Sequence, residues 1–296
     1  MEQKQILALG FFDGVHAGHG ALLRRCRELA DRMGCQAGVV TFEPHPDVLV
    51  LGKAPALINT STDRNRLMQE EFRMDRVITL PFDQKMMRMP WQDFFRLLRE
   101  QYQAAGLVCG HNFRFGSRGE GNGEKLAAAC RDAGMPCIVV EAQLVDGEEV
   151  SSTRIRQLLE QGQMERAVRC LGHPHVLTGR VVPGKQLGRT IGIPTANLLL
   201  PEELVIPRFG VYACLAWVNG RKYPAVTNIG TRPTVNGTGI TVEPWLLDFE
   251  GDLYGRELKL EFYKFLRPER KFPSLEALQA EIRKNAAEVR DFFEKT

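Results

Sequence analysis

The chain contains no run near the ~18 apolar residues of a membrane span. Internal repeats and low-complexity linkers are missing too. Its first residues, MEQKQILALG, lack the long apolar core of a secretory signal. No two of the seven cysteines form a C-x-x-C pair, and their number is odd. Buried, reduced thiols in a cytoplasmic protein are therefore expected, not a disulfide framework. Charge of one sign is not concentrated: 39 Lys and Arg are interleaved with 36 Asp and Glu, for a formal net charge of +3. That leaves no electrostatic footprint for nucleic acid or a membrane surface. What is present is 296 residues, 44% of them hydrophobic and 25% charged. A domain takes ~100–200 residues, so two domains are expected, each able to bury its own core.

The first half alternates short apolar strands with amphipathic helices. Strands are read at 6–9, 38–42, 76–80, 107–109 and 137–140. Leu22, Cys26, Leu29, Ala30 and Met33 recur at helical spacing, with Gly34 positioned to end that helix. Pro90 opens another helix, whose Trp91, Phe94, Phe95, Leu98 and Tyr102 share a face. Such alternation implies a parallel α/β sheet covered on both faces, with ligands bound beyond the carboxyl ends of its strands. The pattern changes between residues 160 and 172. Strands then follow at 176–182, 211–218, 242–249 and 258–265, separated by turns rich in Gly, Pro and Asn. An antiparallel barrel or sandwich is expected there. Ser274 caps a closing helix with Leu275, Leu278, Ile282, Ala286, Val289 and Phe293 on one side.

Four segments of the first half lie at the expected ligand end. The first, GFFDGVHAGH over 10–19, runs from strand one into a helix N-terminus, where backbone N–H groups and the helix dipole favour an anion. Its glycines allow close backbone approach. His16 and His19, three residues apart, suit a developing phosphoryl charge. Taken alone, the same residues also fit a solvated glycine turn or two ligands of a metal site. The second segment, TFEPHP, brings Pro44 and Pro46 to a rigid loop after a strand. CGHNFRFG offers Asn112 with Phe113 and Phe115, which fit a planar ligand or a core. SSTRIR places Ser152, Thr153 and Arg156 at a helix start, as a second anion site or as a plain cap.

In the second half, GKQLGRTIGIPTAN over 184–197 is a glycine-rich loop leading to Thr195 and Asn197. It lacks the G-K-[ST] order of a Walker loop. Hydroxyl and amide oxygens suit Mg2+, which takes oxygen ligands; taken alone, the segment reads first as a glycine-rich hairpin with a polar strand start. In VEPWLLDF, strand alternation puts Glu243 on a face with Trp245, Leu247 and Phe249. A carboxylate in that row is a candidate general base, or else sits at the strand's wet end. Pro244 removes a ladder donor, so an edge or a bulge is expected there.

GFFDGVHAGH, FEPHP and SSTRIR in this order resemble the adenylyltransferase half of the bacterial bifunctional riboflavin kinase/FAD synthetase family. GRTIGIPTAN, NIGTRPT and RPERKF resemble its riboflavin kinase domain. The resemblance implies a Rossmann-like nucleotidyltransferase at 1–165 and a six-stranded antiparallel barrel with a C-terminal helix at 172–296. It implies that riboflavin and ATP give FMN, and that FMN and ATP give FAD and pyrophosphate. Gly10, Phe12, Asp13, Gly14, His16, His19, Ser152, Thr153 and Arg156 would bind ATP in the first domain, and Pro44, Pro46 and Asn112 would face FMN. Gly184, Gly188, Thr195 and Asn197 would bind Mg–ATP in the second, with Thr195 and Asn197 on the metal and Glu243 as base. Relatives follow this Glu with a small residue and then His or Tyr, where this chain has Pro244 and Trp245. The alternative is a chain that retains only one of the two activities, with the other domain a flavin-binding regulator.

Overall fold

The structure, a computed structural model, describes residues 4–184, 188, 192–234 and 237–295. Of the glycine-rich loop 184–197, residues 185–187 and 189–191 lie outside these. The chain divides into two compact units, Met1–Leu57 with Arg64–Ser152, and Ile58–Asp63 with Thr153–Thr296.

The first unit opens with β1 (Gln5–Leu9), α1 (Ala17–Met33), β2 (Gln36–Glu43) and α2 (Asp47–Val50). α3 (Ser61–Glu70), β3 (Arg76–Pro81), α4 (Gln84–Arg88) and α5 (Trp91–Glu100) follow. Next come β4 (Ala104–Gly110), α6 (Gly123–Asp132), β5 (Cys137–Val140) and a small hairpin, β6 (Leu144–Val145) with β7 (Glu148–Glu149). The sheet order is β3-β2-β1-β4-β5, and every pairing is parallel. Successive strand residues face opposite sides. Ile6 and Ala8 pack under Leu22, Cys26, Leu29 and Ala30 of α1. Leu7 and Leu9 pack on the other face with Phe94, Phe95 and Leu98 of α5. Met33, expected on the buried face of α1, is 44% exposed. The helix ends just there, at a left-handed Gly34 (φ 62°). The direction of winding changes between β1 and β4, so the loops after these strands flank the crevice where such sheets bind ligands.

The second unit contains α7 (Ser152–Glu160, from its second residue on), α8 (Met164–Leu171), β8 (His175–Val182), β9 (Asn197–Leu199) and β10 (Gly210–Val218). It continues with β11 (Arg221–Thr234), β12 (Gly237–Leu246), β13 (Glu257–Pro268) and α9 (Leu275–Glu294). The strands close into an antiparallel barrel in the order β10-β11-β12-β9-β8-β13. α8 packs on β8 and β13. The short segment Ile58–Asp63 belongs here as well: Asn59 Nδ2 donates to the Val176 carbonyl at 3.3 Å, and Thr178 Oγ1 donates to Asp63 Oδ1 at 2.7 Å.

Two barrel strands, β9 and β11, were not expected from the sequence pattern. β9 is only three residues long. β11 contains Pro224, Gly230 and Pro233, which break the pattern of a strand but not its register with β10 and β12. The strand read over 242–249 runs instead over Gly237–Leu246. Beyond it Leu247 stays in the core with Trp245. A left-handed Asp248 (φ 59°) then turns the chain, so Phe249 leaves that face and packs edge-on against Tyr223. Pro244 makes no bulge, since β11–β12 pairing runs unbroken past Thr227–Pro244. Its carbonyl accepts from the Ala196 N–H at 2.9 Å, which puts its missing donor on the β9 side. There β12 pairs only through Val242–Leu198, so the ladder has little to lose.

Two candidate active sites

The turn after β1 is held by its own apolar side chains. Phe12 and Val15 are fully buried in the core under α1. They and Gly14 adopt positive φ (63°, 42° and 79°), the tight path that carries the chain into α1. Thr41 Oγ1 fixes the Phe11 carbonyl at 2.9 Å, and Ser152 Oγ fixes that of Asp13 at 2.9 Å. His16 caps α1, its Nδ1 accepting the His19 N–H at 3.3 Å. Accepting at Nδ1 leaves the ring proton of a neutral His16 on Nε2. The two imidazoles stack, with centroids 3.6 Å apart and planes at 17°. Burial, then His16, then Arg64 hold the pKa of His19 well below the usual imidazole range. His19 is therefore a neutral donor at pH 7 before substrate binds, not a cation.

A cavity of about 1030 Å3 opens at this end of the sheet. Gly10, His19, Pro46 and Asn112 line it, four of the residues expected to meet ligand. Phe113 and Phe115, stacked with centroids 5.4 Å apart, line it too, serving wall and core at once. Three methionines of the α4 region, Met86, Met87 and Met89, supply an adaptable apolar side. The charged lining is Arg88, Arg114 and Arg118, with no carboxylate among the described lining residues. Phe12, Asp13, Gly14 and His16 do not line the cavity; they are buried in the turn that shapes it. Pro44, joined to Glu43 by a cis peptide bond, is not part of the lining either. Thr153 and Arg156 lie in the first turns of α7.

Sequence reasoning missed Arg64. It is 2% exposed and stacks over the Phe11 ring at 4.5 Å. Burial pulls its pKa down, against the opposing pull of Asp13 and Glu43. Its stretch, STDRNR, reads as a solvated helix face, and nothing local signals that the ring it covers lies fifty residues earlier.

The barrel unit has a cavity of about 700 Å3. Glu243 and Trp245 face it from β12, Gly188 and Thr195 from the loop, and Val211 and Val226 from the barrel wall. The apolar face of α9 closes another side, and Asn228, Arg267, Glu269 and Arg270, with Phe272, supply a polar, charged rim. Glu243 thus shares one cavity with Thr195, as expected, and Trp245 is part of the same wall. Asn197 is not in that lining but starts β9 opposite Val182. A Cβ on Gly184 would fall inside the Asn197 amide, and one on Gly188 would strike the Ile193 carbonyl and come 3.4 Å from the Thr195 hydroxyl. Only a bare backbone can lie so close to the Asn197 amide and the Ile193 carbonyl.

Family models match both units: FAD synthetase over residues 1–154 and riboflavin kinase over residues 171–293. The bifunctional riboflavin kinase/FMN adenylyltransferase of Escherichia coli (strain K12) is 38% identical over 97% of this chain and 92% of its own length. That of Listeria monocytogenes serovar 1/2a is 33% identical over 98% and 93%. This chain belongs to the bifunctional riboflavin kinase/FMN adenylyltransferase family. A solved structure described as a macrolide-efflux protein from Streptococcus pneumoniae shares the fold at a TM-score of 0.88. It is 28% identical, with 98% of this chain and 95% of that one covered. That description stays with that protein; among the described residues here, no helix is long and apolar enough to cross a membrane. Both enzymatic domains of the family are present, an ATP-using adenylyltransferase and an ATP-using kinase.

Proposed function

We propose that the kinase domain, residues 172–296, phosphorylates riboflavin in the 700 Å3 cavity, and that residues 1–165 adenylylate the resulting FMN in the 1030 Å3 cavity. The observation that carries this division is that, among the described lining residues, only the barrel cavity holds carboxylates. One has three arginines and no carboxylate, which suits a flavin already bearing a phosphate. The other holds the carboxylates Glu243 and Glu269 beside Arg267 and Arg270, with Glu243 next to the apolar side formed by Trp245, Val211 and Val226, which suits a flavin whose hydroxyl must lose a proton.

In the kinase, Glu243 accepts the proton of the terminal ribityl hydroxyl as its oxygen attacks the γ-phosphorus of ATP and ADP leaves. Val211, Val226 and the α9 face exclude water from the ring. The hydroxyl of Thr195 and the amide oxygen of Asn197, the latter with the Gly184 backbone packed against it, fit Mg2+ as hard donors that leave room for phosphate oxygens. Bound there, Mg2+ would neutralise charge on the transferring phosphoryl group.

In the adenylyltransferase, an FMN phosphate oxygen attacks the α-phosphorus of ATP and pyrophosphate leaves. That nucleophile is already an anion, so no base is needed. His16, His19 and the first-turn amides of α1 hold the phosphates, Ser152 steadies the Asp13 carbonyl of the turn, and Asn112 and Pro46 face the flavin. All seven cysteines are free, which supports a reducing, cytoplasmic setting.

Incubation with riboflavin and Mg–ATP followed by chromatography of the flavins tests the reading. Formation of FAD supports both steps. FMN that accumulates removes the first-domain assignment, and conversion of FMN but not of riboflavin removes the second.

A further inference from the structure

Helix α9 turns Leu275, Leu278, Ile282 and Asn285 toward the barrel cavity. Spacings of three and four residues keep them on one face. Three are apolar, and the fourth is an amide left only 3% exposed. Asn285 Oδ1 accepts from Arg267 Nε at 3.0 Å. Arginine can only donate, so this bond fixes which end of the amide is which. Arg267 is itself held by Glu281, one turn earlier on α9, at 3.4 Å. The amide nitrogen, Nδ2, then has two protons and no acceptor among the described residues. Asn285 lines the cavity, so this donor is placed for a ligand to complete it.

We propose that Asn285 Nδ2 donates to a carbonyl oxygen on the pyrimidine ring of the flavin. It thereby helps set which planar ring the kinase accepts. The apolar stripe Leu275–Leu278–Ile282 takes the hydrocarbon part of the ring system, and Asn285 reads its polar edge. A site built to bond a polar atom rejects analogues that lack it, because its own donor is then stranded. This inference rests on the kinase reading of the barrel and adds a specificity residue to it.

Asn285→Asp separates the two ends of the amide. The carboxylate keeps an acceptor for Arg267 and loses both donors. The KM for riboflavin in FMN formation rises at least tenfold, while the KM for ATP and FAD formation from supplied FMN stay within about twofold. An unchanged KM for riboflavin in Asn285→Asp overturns the inference and leaves the kinase assignment standing. A wild-type enzyme that makes no FMN overturns the kinase reading, and with it the substrate named here. Should Asn285→Asp not fold, the wild type is given 2-thioriboflavin and 4-thioriboflavin, whose sulfur is a weaker acceptor. One of the two shows a KM raised about fivefold or more, and equal use of both analogues and riboflavin overturns the inference.

Discussion

The two units meet the same partners, a flavin and a nucleotide triphosphate, with opposite materials. The sheet unit presents backbone, a glycine turn and a helix N-terminus, with two stacked imidazoles, beside a cavity whose charged lining is arginine. The barrel unit presents side chains: the carboxylates of Glu243 and Glu269, the Thr195 hydroxyl, and the guanidinium groups of Arg267 and Arg270, with an apolar helix face on another side. On the proposed reading, the difference follows from the nucleophile. A phosphate monoester arrives ionised and needs only to be placed and neutralised, whereas an alcohol must be deprotonated. Chemistry that needs a base puts a carboxylate in the wall, and chemistry that does not leaves it out.

The hardest test of this contrast is the double variant His16→Ala with His19→Ala. Loss of two donors to the phosphates lowers FAD formation on the order of 10^3-fold or more. FMN formation by the same protein is unchanged, and a fall in both activities would break the division of labour. Glu243→Gln is the mirror experiment. It keeps shape but cannot take a proton, so FMN formation falls about 10^2- to 10^4-fold. FAD formation from supplied FMN holds, and near-normal FMN turnover would remove the base from the mechanism.

A third test asks which neutral imidazole serves chemistry and which serves only the fold. His175, in β8, is fully buried against Phe262, and burial, then His173, push its pKa down to about 3. In the unfolded chain it titrates near 6.5. Between those values the unfolded state binds more protons, so stability is lost as pH falls below about 6.5. The slope from this one group is up to about 1.4 kcal/mol per pH unit. Both ring nitrogens lack partners, so His175→Phe removes this acid sensitivity without a lost hydrogen bond. Thermal unfolding at pH 7 and pH 5 reads the effect, and both activities stay as they were. Ser152→Ala gives the smallest change. Loss of its bond to the Asp13 carbonyl costs about 1 kcal/mol, lowering FAD formation up to about tenfold with FMN formation intact.

The turn Gly10–His19 and the pairing of Thr195 with Glu243 were legible because their residues are close in sequence or sit at the ends of well-patterned strands. β11 was not legible, since its prolines and glycine erase the alternation while its neighbours preserve the register. The roles within the turn were only half visible. Sequence marks Phe12 and Asp13 as part of the motif, yet burial makes Phe12 an anchor under the loop. Arg64 and Asn285 were invisible for a shared reason. Each is a polar residue buried by partners distant in the chain, and polarity in sequence reads as exposure.

The six residues Ile58–Asp63 lie in the middle of the first half of the chain yet pack with the barrel, through Val176 and Thr178. No single cut in the gene therefore separates the two catalytic bodies cleanly. A kinase excised as a contiguous fragment leaves part of its own wall behind, and a ribosome has made that part long before the first barrel strand emerges. The fusion is sewn as well as joined end to end, which makes recombination of one half with a foreign partner harder than the order of the domains suggests.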